Sequence, residues 1–147
     1  MSDDTDAQHG GCFCGRVTFE VSGEPVAMGY CHCSSCRGWL AAPVHGFTMW
    51  PAEAVKVTSG AEVIGTFLKT PDTISHRQFC INCGGAVMVQ HPTMGAIDIP
   101  AANLPGVAFQ PTMHVNYAEH VMRIRDGLPK HAGFPADFGG TGELIPE

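Results

Sequence analysis

At 147 residues the chain is long enough for one domain with its own core, and its 44% apolar and 15% charged residues describe a globular, rather uncharged protein. A formal net charge of −6, with eight scattered Lys and Arg, offers no basic patch and argues against a nucleic-acid partner. No run of about eighteen apolar residues predicts a membrane span, and the acidic start Met1-Ser2-Asp3-Asp4 lacks the basic-then-apolar order of a signal peptide. The expectation is a cytoplasmic protein, whose thiols stay reduced and whose clustered cysteines favour metal over disulfides.

In chain order, residues 1–9 read as a disordered acidic tail. Gly10-Gly11-Cys12-Phe13-Cys14-Gly15 is a tight turn, and Gly15 permits the positive φ that curls backbone N–H groups towards sulfur. Arg16 to Val21 alternates and is rich in β-branched residues, a strand ended by Ser22-Gly23-Glu24-Pro25; Val26 to Cys31 is the returning strand. Extended backbone then points Cys31 and Cys33 to one side and His32 to the other, and Cys36 folds back through a Ser34-Ser35 turn to complete a three-sulfur cup. Further strands are predicted at Val44 to Met49, Val55 to Thr58, Val63 to Leu68, Thr73 to Phe79, Ala86 to Gln90, Ala96 to Ile99 and Met113 to Val115. Ala101 to Leu104 reads as a helical turn, and Asp126 to Gly140 is too rich in Gly and Pro for long elements. Many short strands and no convincing long helix predict an all-β sandwich or barrel.

All seven cysteines fall in clusters: Cys12-x-Cys14, Cys31-x-Cys33-x-x-Cys36 and Cys80-x-x-Cys83. These spacings let neighbouring sulfurs reach one small ion and suit zinc–thiolate coordination. Seven divides into four plus three: one closed structural site and one site with a position open. Cys12, Cys14, Cys80 and Cys83 form the glycine-closed set and are assigned to the structural zinc, with ordinary buried cysteines as the alternative. Cys31, Cys33 and Cys36 leave a fourth position, either open or closed by His45, His76 or His114; His32 faces away from its flanking sulfurs. Two zinc ions on seven thiolates would leave the net charge at roughly −9.

Arg37, beside the open site, is a candidate for a two-pronged contact with a substrate carboxylate, and Trp39 a candidate pocket wall. Trp50 reads as core or wall. His114-Val115-Asn116-Tyr117 places polar groups on an otherwise apolar strand, which reads first as satisfied structural polars and second as part of a pocket.

Gly-Gly-Cys12-Phe-Cys14-Gly-Arg-Val-Thr-Phe-Glu, then Cys31-His-Cys33-Ser-Ser-Cys36-Arg, then Phe-Cys80-Ile-Asn-Cys83-Gly-Gly, in this order and spacing, resembles the glutathione-dependent formaldehyde-activating family, whose domain is shared with centromere protein V. The resemblance runs from Gly10 to Leu128, so a zinc-binding domain over residues 10–128 is expected, followed by a Gly/Pro-rich extension over 129–147 packing on it. It implies a zinc-bearing β-sandwich of the β-tent type. It implies that Cys12, Cys14, Cys80 and Cys83 are the structural site and that Cys31, Cys33 and Cys36 are the catalytic one. The activity implied is that of a carbon–sulfur lyase joining the glutathione thiol, as co-substrate, to formaldehyde. Two other readings stay open: a non-catalytic zinc module that binds a protein, and a thiol-based zinc or redox sensor. A homodimer is compatible with the composition and encoded by no segment of it.

Overall fold

The computed structural model describes residues 7–147. Its strands, among the described residues, are β1 (Gln8–Gly11), β2 (Thr18–Val21), β3 (Ala27–Cys31), β4 (His45–Pro51), β5 (Val55–Ser59), β6 (Ile64–Phe67), β7 (His76–Cys80), β8 (Ala86–His91), β9 (Ala96–Pro100) and β10 (His114–Val115). One α-helix, α1 (Ser34–Leu40), and several three-residue 3-10 turns complete them. The class is all-β, built of sheets and not closed into a barrel. Two compact units divide the chain, one running to Val26 and again over Thr48–Phe109, the other over Ala27–Phe47 and Gln110–Glu147.

In the first unit β1, β2 and β5 form one antiparallel sheet, and β9, β8, β7 and β6 lie side by side in a second run. The alternation of β2 decides which face is buried: Phe19 and Val21 are buried while Thr18 and Glu20 stay half-exposed. Phe19, Val21 and Val17 meet Val87, Met88, Ile97, Ile99, Trp50 and Leu104 in one core, so the two sheets of this unit are held face to face as a sandwich. Each such side chain, removed from water, stabilises by about 1.5–3 kcal/mol. Trp50 belongs to this core, and its indole N–H donates to Thr48 Oγ1 at 2.9 Å while the Thr48 hydroxyl donates to the Ile99 carbonyl at 2.7 Å.

Residues 1–6 of the expected tail lie outside the described residues; Gln8 and His9 open β1, opposite Val21 and Glu20. In the second unit β10 pairs with β3 in parallel, His114 opposite Tyr30 and Val115 opposite Cys31. Where a Ser34-Ser35 turn was predicted, α1 begins. The Cys33 sulfur caps it by accepting the Cys36 N–H at 3.3 Å, and Ala41, in the left-handed region at φ 53, ends it. The Gly/Pro-rich stretch contributes to this unit through His131 N–H to His114 O (2.9 Å), Ala132 N–H to Glu143 O (2.8 Å) and Ile145 N–H to Lys130 O (2.8 Å). No helix among the described residues is long and apolar enough to cross a membrane.

Gly60 has φ +79, and a Cβ there would meet the Arg16 carbonyl oxygen at 2.2 Å. Gly60→Ala is expected to destabilise the protein by about 1–3 kcal/mol, read as a lowered denaturant midpoint with unchanged slope; an unaltered midpoint would contradict this packing.

Candidate metal centres and a buried polar chain

The first group of sulfurs is assembled within the first unit from two turns. Cys12 and Cys14 sit on the turn after β1, Cys80 ends β7 and Cys83 follows three residues later, and the four sulfurs lie within 4.8 Å of one another. Glycine shapes both turns: Gly15 at φ 81 donates its N–H to the Cys12 carbonyl, and Gly84 at φ 76 donates to the Cys80 carbonyl. Cys12 and Cys14 are 3.6 Å apart, and Cys14 and Cys80 are 3.8 Å apart. A tetrahedral zinc with bonds of about 2.3 Å sets its sulfurs about 3.8 Å apart, so this donor set fits zinc.

Hydrogen-bond donors face those sulfurs. Val17 N–H donates to Cys12 (3.3 Å), Gly85 N–H to Cys83 (3.4 Å) and the Asn82 side-chain amide to Cys14 (3.3 Å). The Asn82 amide and then the Arg16 backbone draw the Cys14 thiol down to about 6, whereas burial pushes Cys80 up to about 11. Four crowded thiols resist ionising together until a cation neutralises them.

The second group lies within the second unit. Cys31, Cys33 and Cys36 have their sulfurs within 4.8 Å of one another, and that group contains none of His32, His45, His76 or His114. Asn116, itself left-handed at φ 55, donates its side-chain amide to Cys31 Sγ at 3.4 Å. Hydrogen bonding to the Cys33 thiol pushes Cys31 up to about 11, and the thiols of Cys31 and Cys33, then burial, push Cys36 up strongly. A divalent cation reverses that preference, so these residues too fit zinc, with three protein sulfurs in the set.

Arg37 follows directly. Its Nε donates to the His32 carbonyl at 2.8 Å and its Nη2 to the Glu119 carbonyl at 3.2 Å, while Glu119 accepts the Ser34 N–H at 2.9 Å. Trp39 is half-buried on α1, three residues past Cys36.

Behind the sulfurs runs a chain that the cysteine spacing does not announce. His32, fully buried, shares a 2.8 Å hydrogen bond between its Nε2 and His114 Nδ1, and His114 Nε2 reaches Asp126 Oδ2 at 2.8 Å. Lys130, buried, donates to Asp126 Oδ1 at 2.6 Å, to the Leu128 carbonyl at 3.0 Å and to the Glu147 carboxylate. His114 stacks on Tyr30, and Tyr117 meets His32 edge-on, both with ring centroids 4.8 Å apart. Burial, then the proximity of His114, lowers the His32 imidazole to about 4. The polar run His114-Val115-Asn116-Tyr117 was the one signal for this chain; nothing in the sequence linked it to Asp126, Lys130 or Glu147.

Two sheets of short strands carrying one four-sulfur and one three-sulfur group define a small all-β protein competent to bind metal at both groups. The sequence profile described as glutathione-dependent formaldehyde-activating enzyme matches residues 7–119, and the chain belongs to that family. A crystal structure of a Rhodobacter sphaeroides protein, solved in a structural genomics programme, is similar at 25% identity and a TM-score of 0.56, over 68% of this chain and 90% of that one. No curated protein matches the chain significantly.

Burial opposes charge on both Asp126 and Lys130, yet hydrogen bonds from Lys130 and His114 hold Asp126 below the carboxylate range, and bonds to Asp126 and Glu147 hold Lys130 above the usual ammonium range. The stabilisation tied to Asp126 is therefore complete above about pH 4 and is lost as pH falls through its lower folded value; that tied to Lys130 is complete below about pH 10 and is lost as pH rises. Lys130→Met is expected to cost about 2–3 kcal/mol at pH 7, less than a fully buried pair because solvent reaches Asp126, with the gap to wild type narrowing below about pH 4. Denaturant titrations at pH 7 and pH 3 check this, and a gap independent of pH would contradict the pairing.

Proposed function

We propose that the protein is a zinc-dependent carbon–sulfur lyase that forms or breaks an adduct between glutathione, or a related thiol, and an aldehyde such as formaldehyde. The observation that carries the reading is the division of the cysteines into a four-sulfur and a three-sulfur group, since four thiolates close a zinc site and three leave it a position for substrate. Family membership supports the thiol and aldehyde as the substrate class.

In this reading Cys12, Cys14, Cys80 and Cys83 hold a structural zinc, and Cys31, Cys33 and Cys36 hold the catalytic one. A zinc bound there supplies a Lewis-acidic position able to hold a thiolate or polarise a carbonyl oxygen. The reaction forms one carbon–sulfur bond: the thiol sulfur adds to the aldehyde carbon, the C=O π pair moves to oxygen, and the proton lost from sulfur ends on that oxygen as S-hydroxymethylglutathione. The three cysteines set where the sulfur sits, while Asn116 steadies Cys31 by its amide–sulfur bond. Arg37 braces the segment through the His32 and Glu119 carbonyls. Its guanidinium carries five donors, and those beyond the two bonds described are assigned to a glutathione carboxylate, with Trp39 as pocket wall.

Elemental analysis of the reduced protein tests this. About two zinc ions per chain are expected in wild type, with one lost on glutathione challenge, and about one in Cys36→Ser together with loss of adduct formation. Two zinc ions that both resist glutathione, with no turnover of thiol–aldehyde adducts, would overturn the lyase reading. Arg37→Ala is expected to weaken glutathione binding about tenfold by calorimetry with both zinc ions retained, in line with a charge-assisted contact of about 1.5–3 kcal/mol; unchanged binding would remove Arg37 from the substrate site.

A further inference from the structure

His32 lies between two cysteines of the second group, and it is held at its backbone N–H, its carbonyl and its ring. Its N–H donates to the Val115 carbonyl at 3.1 Å, its carbonyl accepts from Arg37 Nε at 2.8 Å, and its Nε2 meets His114 Nδ1 at 2.8 Å. The direction of the ring contacts is set from the far end. An ionised carboxylate only accepts hydrogen bonds, so Asp126 Oδ2 takes the proton-bearing Nε2 of His114 at 2.8 Å. A His114 ring whose one proton is on Nε2 presents a bare Nδ1, and His32 then donates to it from Nε2. This polarity leaves His32 with a bare Nδ1, and that atom is buried with no hydrogen-bond partner. The reverse polarity would leave a buried N–H unmet at the same atom, a costlier arrangement than an unused lone pair.

We propose that His114 and Asp126 are positioning residues for the second sulfur group: they hold His32 in its Nε2–H tautomer and, through it, fix the backbone that sets Cys31 and Cys33 for a metal. The proposal rests on the reading of Cys31, Cys33 and Cys36 as a zinc site. Residues that orient ligands from behind change metal affinity by about 10–100-fold when removed, although they never touch the ion. His32 acts here as a strut, since its ring engages His114 and it stands outside the sulfur group.

The test compares His114→Gln with His114→Leu in the zinc-loaded protein. Glutamine can accept from His32 through its carbonyl and donate to Asp126 through its amide, so it keeps the polarity of the chain; leucine fills the space and offers neither. Zinc release to a chromophoric chelator should show the second zinc leaving about tenfold faster or more from the Leu variant, within about threefold of wild type from the Gln variant, and the first zinc unchanged in both. Equal release from all three proteins, or equal loss in both variants, would overturn the positioning role while leaving the zinc reading intact. A wild-type protein with only one zinc after reconstitution would overturn the zinc reading and this proposal with it. Long-range proton–nitrogen NMR of the imidazoles gives a second readout that survives a misfolded Leu variant. His32 is expected to be protonated at Nε2 and bare at Nδ1 in wild type and in His114→Gln, and a proton on Nδ1 would overturn the proposal.

Discussion

Sulfur crowding is the constraint on which this structure turns. Seven thiols gathered into two groups, each with its sulfurs within 4.8 Å, cannot all carry charge unless something positive stands among them. The backbone of the first unit is arranged accordingly, with left-handed glycines that let N–H groups approach and with the Asn82 amide on the most exposed of its sulfurs, that of Cys14. A single ion at this group would tie the turn after β1 to the end of β7, two points 66 residues apart in sequence at Cys14 and Cys80. Such long closures are where a cross-link restrains the unfolded chain most.

The second group meets the same crowding with different supports. It lacks the flanking glycines of the first; a cysteine-capped helix of seven residues carries Cys36, and an asparagine amide steadies Cys31. Its larger distinction is what lies on the reverse face, where two buried imidazoles, a lysine and two carboxylates form one connected polar chain. Buried charge of that kind is tolerated when every member finds a partner, and here Lys130 uses all three of its N–H donors.

How much of this was legible in the sequence follows from the range of each interaction. The three cysteine clusters Cys12-x-Cys14, Cys31-x-Cys33-x-x-Cys36 and Cys80-x-x-Cys83, the glycines that follow Cys14 and Cys83, and the alternating strand that carries Phe19 and Val21 are all local, and each could be seen within a dozen residues. Helix α1 was missed because Ser-Ser-Cys-Arg-Gly-Trp-Leu holds poor helix formers and is too short to display a 3.6-residue period; a cysteine acting as its N-cap is not among the usual cap signals. The ties of Arg37 to the His32 and Glu119 carbonyls, and the path from His32 through His114 to Asp126 and Lys130, depend on residues up to about a hundred positions apart. No spacing rule encodes such a path. His32 stands outside the sulfur group, in keeping with the side expected for it from alternation, but its partners had to come from the folded chain.

The alternation at Cys31-His32-Cys33 has a further consequence for how the protein can vary. Side chains along extended backbone change sides at every residue; Cys31 ends β3 and Cys33 is extended at φ −64, ψ 148, so adding or deleting one residue between Tyr30 and Cys33 would exchange the sulfur face with the imidazole face. A cysteine would then be driven into the buried polar chain and a histidine out among the thiols. Substitution at a position near this tripeptide alters one contact, whereas a change of length dismantles both faces together. The segment should therefore tolerate variation in composition around it far better than any insertion or deletion within it, and its spacing is a more stringent requirement than the identity of the residues on either side.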